Sequence, residues 1–159
     1  MRDVRPSPIA GQWYVANARR LAATVDGFLT AAPPRELDGA VVAVMAPHAG
    51  HRYSGTVAGH AFAAARGLAP ELVAVVGPMH APARGAVLTS AHDAYETPLG
   101  AVAVDGEARR ALDDAFAREL GAGLTPVRND EEHSVEIELP FLQRALTGAW
   151  RLLPVMVRD

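Results

Sequence analysis

The chain has 159 residues, half of them hydrophobic and 21% charged, which suffices for one domain with its own core. A net charge of −3 gives no electrostatic basis for binding nucleic acid or an anionic membrane. All 15 basic residues are Arg and Cys is absent, which excludes lysine Schiff-base chemistry, disulfides, thiolate metal ligands and a cysteine nucleophile within these residues.

An irregular lead containing Pro6, Pro8 and Gly11 has no signal-peptide core. No later apolar run reaches membrane-spanning length, so a cytoplasmic location is expected. A helix is predicted over residues 16–31, where Leu21, Val25, Phe28 and Leu29 recur at helical spacing until Pro33-Pro34 stops it. Residues 40–46 are apolar throughout and rich in Val, the pattern of a strand buried on both faces of a parallel sheet. Pro47-His48-Ala49-Gly50 ends that strand. Ser54 reads as the N-cap of a helix running to about residue 65, closed by Gly67. A second buried strand, 72–76, ends at Gly77-Pro78-Met79-His80, which makes a right-handed βαβ unit with the first.

Beyond it, residues 86–90 and 101–104 read as short strands joined by 95–100. Residues 107–120 form an amphipathic helix with Leu112, Phe116 and Leu120 on one side. Residues 131–147 read as helical despite Pro140, and 152–157 as a last strand. The predicted class is therefore α/β, a single domain over 1–159 with a largely parallel or mixed sheet flanked by helices. No element follows the last strand to cover it. Because a parallel sheet needs both faces buried, a fold incomplete at its C-terminus is expected: a fragment, or half of an assembly.

His48 and His80 occupy equivalent places, each just past the end of a predicted parallel strand. Ligands of open α/β sheets bind in the crevice outside those ends, and neutral His is the commonest metal ligand, so the pair is predicted to share one divalent ion. His133 and Glu136, three apart on the predicted 131–147 helix, share a face and supply either a further ligand or an acid–base pair. Glu131 and Glu132 read only as acidic residues suited to a helix N-terminus. His51, Arg52 and Tyr53 flank His48 and are the candidate substrate-binding residues. His60 reads as a packed or surface residue and His92 as a loop hydrogen-bonder. No nucleophile elbow, Walker A or dinucleotide glycine motif occurs.

Five segments occur in order: Gly11-Gln12-Trp13-Tyr14; 46–55, beginning Ala46-Pro47-His48-Ala49-Gly50; Gly77-Pro78-Met79-His80; Thr97-Pro98-Leu99-Gly100; and 132–142, beginning Glu132-His133-Ser134-Val135-Glu136. Together they resemble the MEMO family, called AmmeMemoRadiSam system protein B in prokaryotes, along almost the whole chain. The resemblance implies a fold similar to class III extradiol dioxygenases, which use non-haem iron. It makes His48 and His80 the metal-site histidines, places His133 near the same cleft, and implies iron first, with copper or zinc as alternatives. It further implies redox chemistry on a small substrate. The alternative is a peptide-binding adaptor using the same cleft, with Arg52 and Arg84 supplying charge to an anionic ligand. The family's usual Tyr after Pro-His-Ala-Gly is His51 here, and its usual Gly-Pro-Ser-His has Met79. Its later Ser-Asp-x-x-His and Cys-Gly segments are absent, so the resemblance covers the N-terminal half of the family's domain. Two histidines alone leave an iron short of the pattern of two His and a carboxylate.

Overall fold

A computed structural model describes residues 3–33, 38–128 and 130–158. Helix α1 (Ala18–Ala31) opens on Asn17, whose side chain accepts the Arg20 N–H, and buries Leu21, Val25 and Leu29 as the periodicity predicts. Pro33 lies just beyond its end; Pro34 falls outside the described residues. Helix α2 (His51–Ala63) crosses α1 closely because Gly55 and Gly59 face Phe28. A Cβ on Gly59 would sit 2.6 Å from the Phe28 carbonyl oxygen, so the contact tolerates only glycine. Helix α2 starts at Gly50 rather than at Ser54. The Ser54 hydroxyl lies within the first turn and donates to the Ala49 carbonyl at 3.0 Å.

Among the described residues, the main sheet has four strands, β2 (Leu72–Pro78), β7 (Arg151–Val157), β3 (Val87–Ser90) and β6 (Thr125–Val127), in the order β2-β7-β3-β6. The β2–β7 and β3–β6 pairs are parallel and the β3–β7 pair is antiparallel, so the sheet is mixed. A smaller sheet joins β1 (Val4–Arg5), β4 (Ala94–Tyr95) and β5 (Val102–Ala103), and a bridge from Val104 to Leu152 links it to β7. The short strands β1, β4 and β6 carry no periodicity of their own, which is why the sequence does not announce them.

Helix α3 (Gly106–Leu120) is capped by Asp105 and closed by Gly121 at φ +73°, yet none of its residues is buried and Leu120 is 67% exposed. Of its apolar stripe, Leu112 and Phe116 are half-buried and Leu120 is exposed. The helix predicted over 131–147 is broken. Residues 131–135 are loop and turn, Glu136–Glu138 form a 3₁₀ turn, and α4 (Leu139–Ala145) starts with Pro140 in its first turn. That is where proline is tolerated, since its missing N–H has no intrahelical acceptor there.

Two further expectations are corrected. Residues 40–46 are not in a ladder, and Val42 and Met45 are 95% and 94% exposed. The βαβ unit is therefore not formed, and β2 takes β7 as its parallel partner instead. The last strand is not the uncovered one. Strand β7 lies between β2 and β3 with Leu152, Leu153, Val155 and Met156 buried. Among the described residues, no helix is long and apolar enough to cross a membrane.

A candidate metal centre of three histidines

His48 follows the 40–47 segment, which joins no ladder, His80 lies two residues past β2, and His133 sits in the loop between β6 and the 3₁₀ turn. Their rings meet: the centroids are 5.3 Å apart for His48–His80, 5.8 Å for His48–His133 and 4.6 Å for His80–His133, the last pair stacked. One ring nitrogen from each lies within 4.8 Å of the others, so the three can hold one metal ion. Neutral imidazoles suit zinc, copper and iron, and the donor set fits a first-row divalent ion without the carboxylate expected from sequence.

Glu132, read from sequence as a solvated helix-end acid, is 4% exposed and organises the site. Its Oε2 accepts the His80 N–H at 2.6 Å. Its Oε1 accepts the His80 Nδ1–H at 2.9 Å and the N–H groups of His133 and Ser134 at 2.8 and 2.9 Å. Burial alone would raise this carboxyl, but the four hydrogen bonds outweigh it and hold the group at about 2. An ionised Glu132 keeps the proton on Nδ1 of His80, leaving the Nε2 lone pair for a metal. Burial pushes the His133 imidazole down, with the neighbouring His80 and His48 adding to the effect and Glu132 opposing it.

The loop carrying His133 is pinned from two sides. Ser134 Oγ donates to the Pro78 carbonyl at 2.7 Å, joining it to the end of β2. A Cβ on Gly77 would come 2.7 Å from that hydroxyl, so this glycine is required by close approach. Trp13 packs on the His133 ring at 4.0 Å between centroids, and its carbonyl accepts the His51 N–H at 2.9 Å.

The other candidates fall elsewhere. Glu136 is fully buried and its side chain goes elsewhere than that of His133, although the His133 carbonyl accepts the Ile137 N–H at 2.9 Å and so opens the turn that contains Glu136. Its carboxylate accepts from Arg5 at 2.6 Å, Ser7 at 2.5 Å and Tyr14 at 2.8 Å. Arg5, only 1% exposed, also bonds Asp130 at 2.8 Å and the Glu132 carbonyl at 2.7 Å, and stands 4.9 Å over the Tyr95 ring. Nothing in the irregular lead marked Arg5 as the centre of this network; only tertiary contact shows it. His51 is buried against Phe141 and Tyr14, its Nε2–H donating to the Ile137 carbonyl at 3.2 Å, and burial pushes it down. Tyr53 is 83% exposed, and Arg52, Arg84 and His60 are exposed. His92 is buried with Nδ1 2.9 Å from Asp3.

Fold and site together define a mixed α/β domain whose loops converge three imidazoles on one point. The family model for Memo-like proteins matches residues 5–159, and the chain belongs to that family. It is 37% identical to a MEMO1 family protein of Methanopyrus kandleri, over 95% of this chain and 55% of that one. It is 30% identical to a MEMO1 family protein of Nitrosopumilus maritimus, over 98% and 57%. Protein MEMO1 of Xenopus tropicalis is 30% identical over 96% of this chain and 51% of its own. The chain thus spans about half the length of the curated relatives it matches.

Proposed function

We propose that this chain carries the histidine cluster of a metal-dependent oxidoreductase acting on a small molecule, with His48, His80 and His133 holding one divalent ion. Iron is the first choice, with copper and zinc as the alternatives that the same donors accept. The observation that carries this reading is the convergence of three imidazole nitrogens within 4.8 Å. A bound ion of this kind supplies Lewis acidity and, where redox-active, a route for electrons.

The protein's own residues do the positioning. Glu132 fixes the ring and tautomer of His80 and the backbone of His133. Ser134 and Gly77 hold that loop against the end of β2, and Trp13 braces the outer face of His133. The acid–base role expected for Glu136 gives way to an anchoring one, since Arg5, Ser7 and Tyr14 engage its carboxylate. Arg52 and Tyr53, on the exposed first turn of α2, are the groups within sequence reach of His48 that would meet an incoming substrate.

Elemental analysis for iron, copper and zinc in the purified chain and in its His48→Ala/His80→Ala variant tests the site. Stoichiometric metal in the first and its loss in the second are expected; equal content in both would sink the proposal. Because Trp13 packs on His133, metal loading is also expected to quench Trp13 emission in the parent chain only.

A further inference from the structure

Between the irregular lead, α1 and the start of α2 lies a recess of about 330 Å³, with Trp13, Tyr14, Thr24, Phe28 and His51 in its lining. That size falls in the range of small-molecule sites, and aromatic walls suit a flat apolar body. Local structure builds the recess. The His51 N–H donates to the Trp13 carbonyl at 2.9 Å, which ties the lead to the first residue of α2. The Phe28 ring meets the His51 ring edge-on at 6.2 Å between centroids, and the Tyr14 ring lies 5.4 Å from it. Rings from the lead, α1 and α2 are thus gathered around one hollow.

His51 sets the polar requirement of that hollow. It is 5% exposed, and its Nε2 lies 3.2 Å from the Ile137 carbonyl. A carbonyl only accepts, so Nε2 carries the proton and the neutral ring keeps a bare lone pair on Nδ1. Burial favours that neutral ring. The Nδ1 atom is buried and has no hydrogen-bond partner among the described residues, a state it shares only with Glu138 Oε2. A buried acceptor without a partner is costly, and only a donor relieves it.

We propose that this recess is a second small-molecule site, separate from the histidine cluster. Its ligand is a small planar aromatic molecule bearing a ring N–H or O–H, and that group donates to His51 Nδ1. The aromatic walls select flatness and the lone pair selects the donor. Trp13 lines the recess and also packs on His133 at 4.0 Å, so the bound ring sits one side chain away from the candidate metal centre. The inference does not depend on a metal being held there.

Indole and 1-methylindole test it, since they share a shape and differ in the one donor. Each is titrated into the chain labelled with nitrogen-15 at histidine, and long-range proton–nitrogen spectra follow the ring nitrogens. Loss of one of the six histidine signal sets in His51→Phe assigns His51. With indole, a saturable displacement of the His51 Nδ1 resonance toward its hydrogen-bonded position is expected. 1-Methylindole should bind about tenfold more weakly and leave that resonance in place. Thr24 is half-buried on α1, so Thr24→Phe fills the recess without removing a bond of His51 and is expected to abolish saturable binding of both probes. His51→Phe is expected to abolish the preference for indole. Absence of saturable displacement at His51 overturns the proposal, as does equal affinity for the two probes. A displacement confined to His48, His80 and His133, or one that persists in Thr24→Phe, overturns it too. Should His51→Phe not fold, the Nε2–H held by Ile137 assigns the resonance, and the probe pair with Thr24→Phe decides.

Discussion

Each side of the 130–138 loop buries a glutamate of that loop, and the two end in opposite states. On the Arg5 side, one guanidinium, two carboxylates, a tyrosine and a serine are packed with short hydrogen bonds throughout. On the β2 side, the wall is apolar, yet Val42, Met45 and Val76 are exposed and one oxygen of Glu138 has no hydrogen-bond partner among the described residues. The histidine cluster straddles this seam. His80 and His133 hang on the closed side through Glu132, whereas His48 is carried by the unpaired 40–47 segment. The difference teaches that preorganisation of the site is unequal: two donors are fixed by a buried carboxylate, and the third is carried by a segment that joins no ladder among the described residues.

That contrast can be broken most severely at Arg5. Arg5→Met leaves Asp130 and Glu136 buried without their cation, and a loss of about 3–5 kcal/mol is expected in urea unfolding. A loss below about 1 kcal/mol would mean that the closed side is no more committed than the open one.

Glu138 offers the next largest effect, through pH. Burial raises its carboxyl from the usual 4.5 to about 8. The folded chain therefore keeps a proton that the unfolded chain gives up, and stability should fall as pH rises from about 4.5 to about 8. Glu138→Gln should remove that slope and gain about 1–3 kcal/mol at pH 8, read from melting curves across pH. A parent chain whose stability is flat over this window would show that Glu138 already has a donor.

Glu132→Gln, which keeps the shape but loses the charge, should weaken metal binding about 10–100-fold while leaving the fold intact. Competition with a chelator measures it, and an unchanged affinity would remove Glu132 from the site. The smallest effect sharpens the comparison from the other side. Val42→Thr and Met45→Gln should each change stability by less than about 0.5 kcal/mol, because nothing covers those side chains. A larger loss would show that the wall is already occupied, by a second copy for instance.

Sequence patterning was sufficient for α1 and β7, whose apolar residues are buried as expected, and it located β2 and β3, although β2 was read as a buried strand and none of its residues is buried. It misled at residues 40–46, because an apolar run says that a segment seeks burial but not what will bury it. It misled again at 131–147, which is a loop, a 3₁₀ turn and a short helix rather than one continuous helix, and His133 and Glu136 engage different partners. The position of His80 past its strand was readable, since strand-end placement is local; His48 was placed by the same argument, although the 40–46 segment before it joins no ladder. The support of His80 and His133 by Glu132 was not, because an acid next to a predicted helix start looks solvated until the fold closes over it. Arg5 and Glu138 were invisible for the same reason: one is satisfied, and the other left unsatisfied, by residues far away in sequence.

The span of the Arg5 network has a kinetic consequence. Arg5 and Glu136 are 131 positions apart, and β1 pairs with β4 across about ninety. Contacts of such separation require most loop-closure entropy to be overcome before they form. The helical pair α1–α2 can assemble early, from neighbours in sequence, but the loop that sets His80 and His133 can be ordered only after both ends have met. Metal competence should therefore emerge in the slowest refolding phase, well behind the recovery of helix.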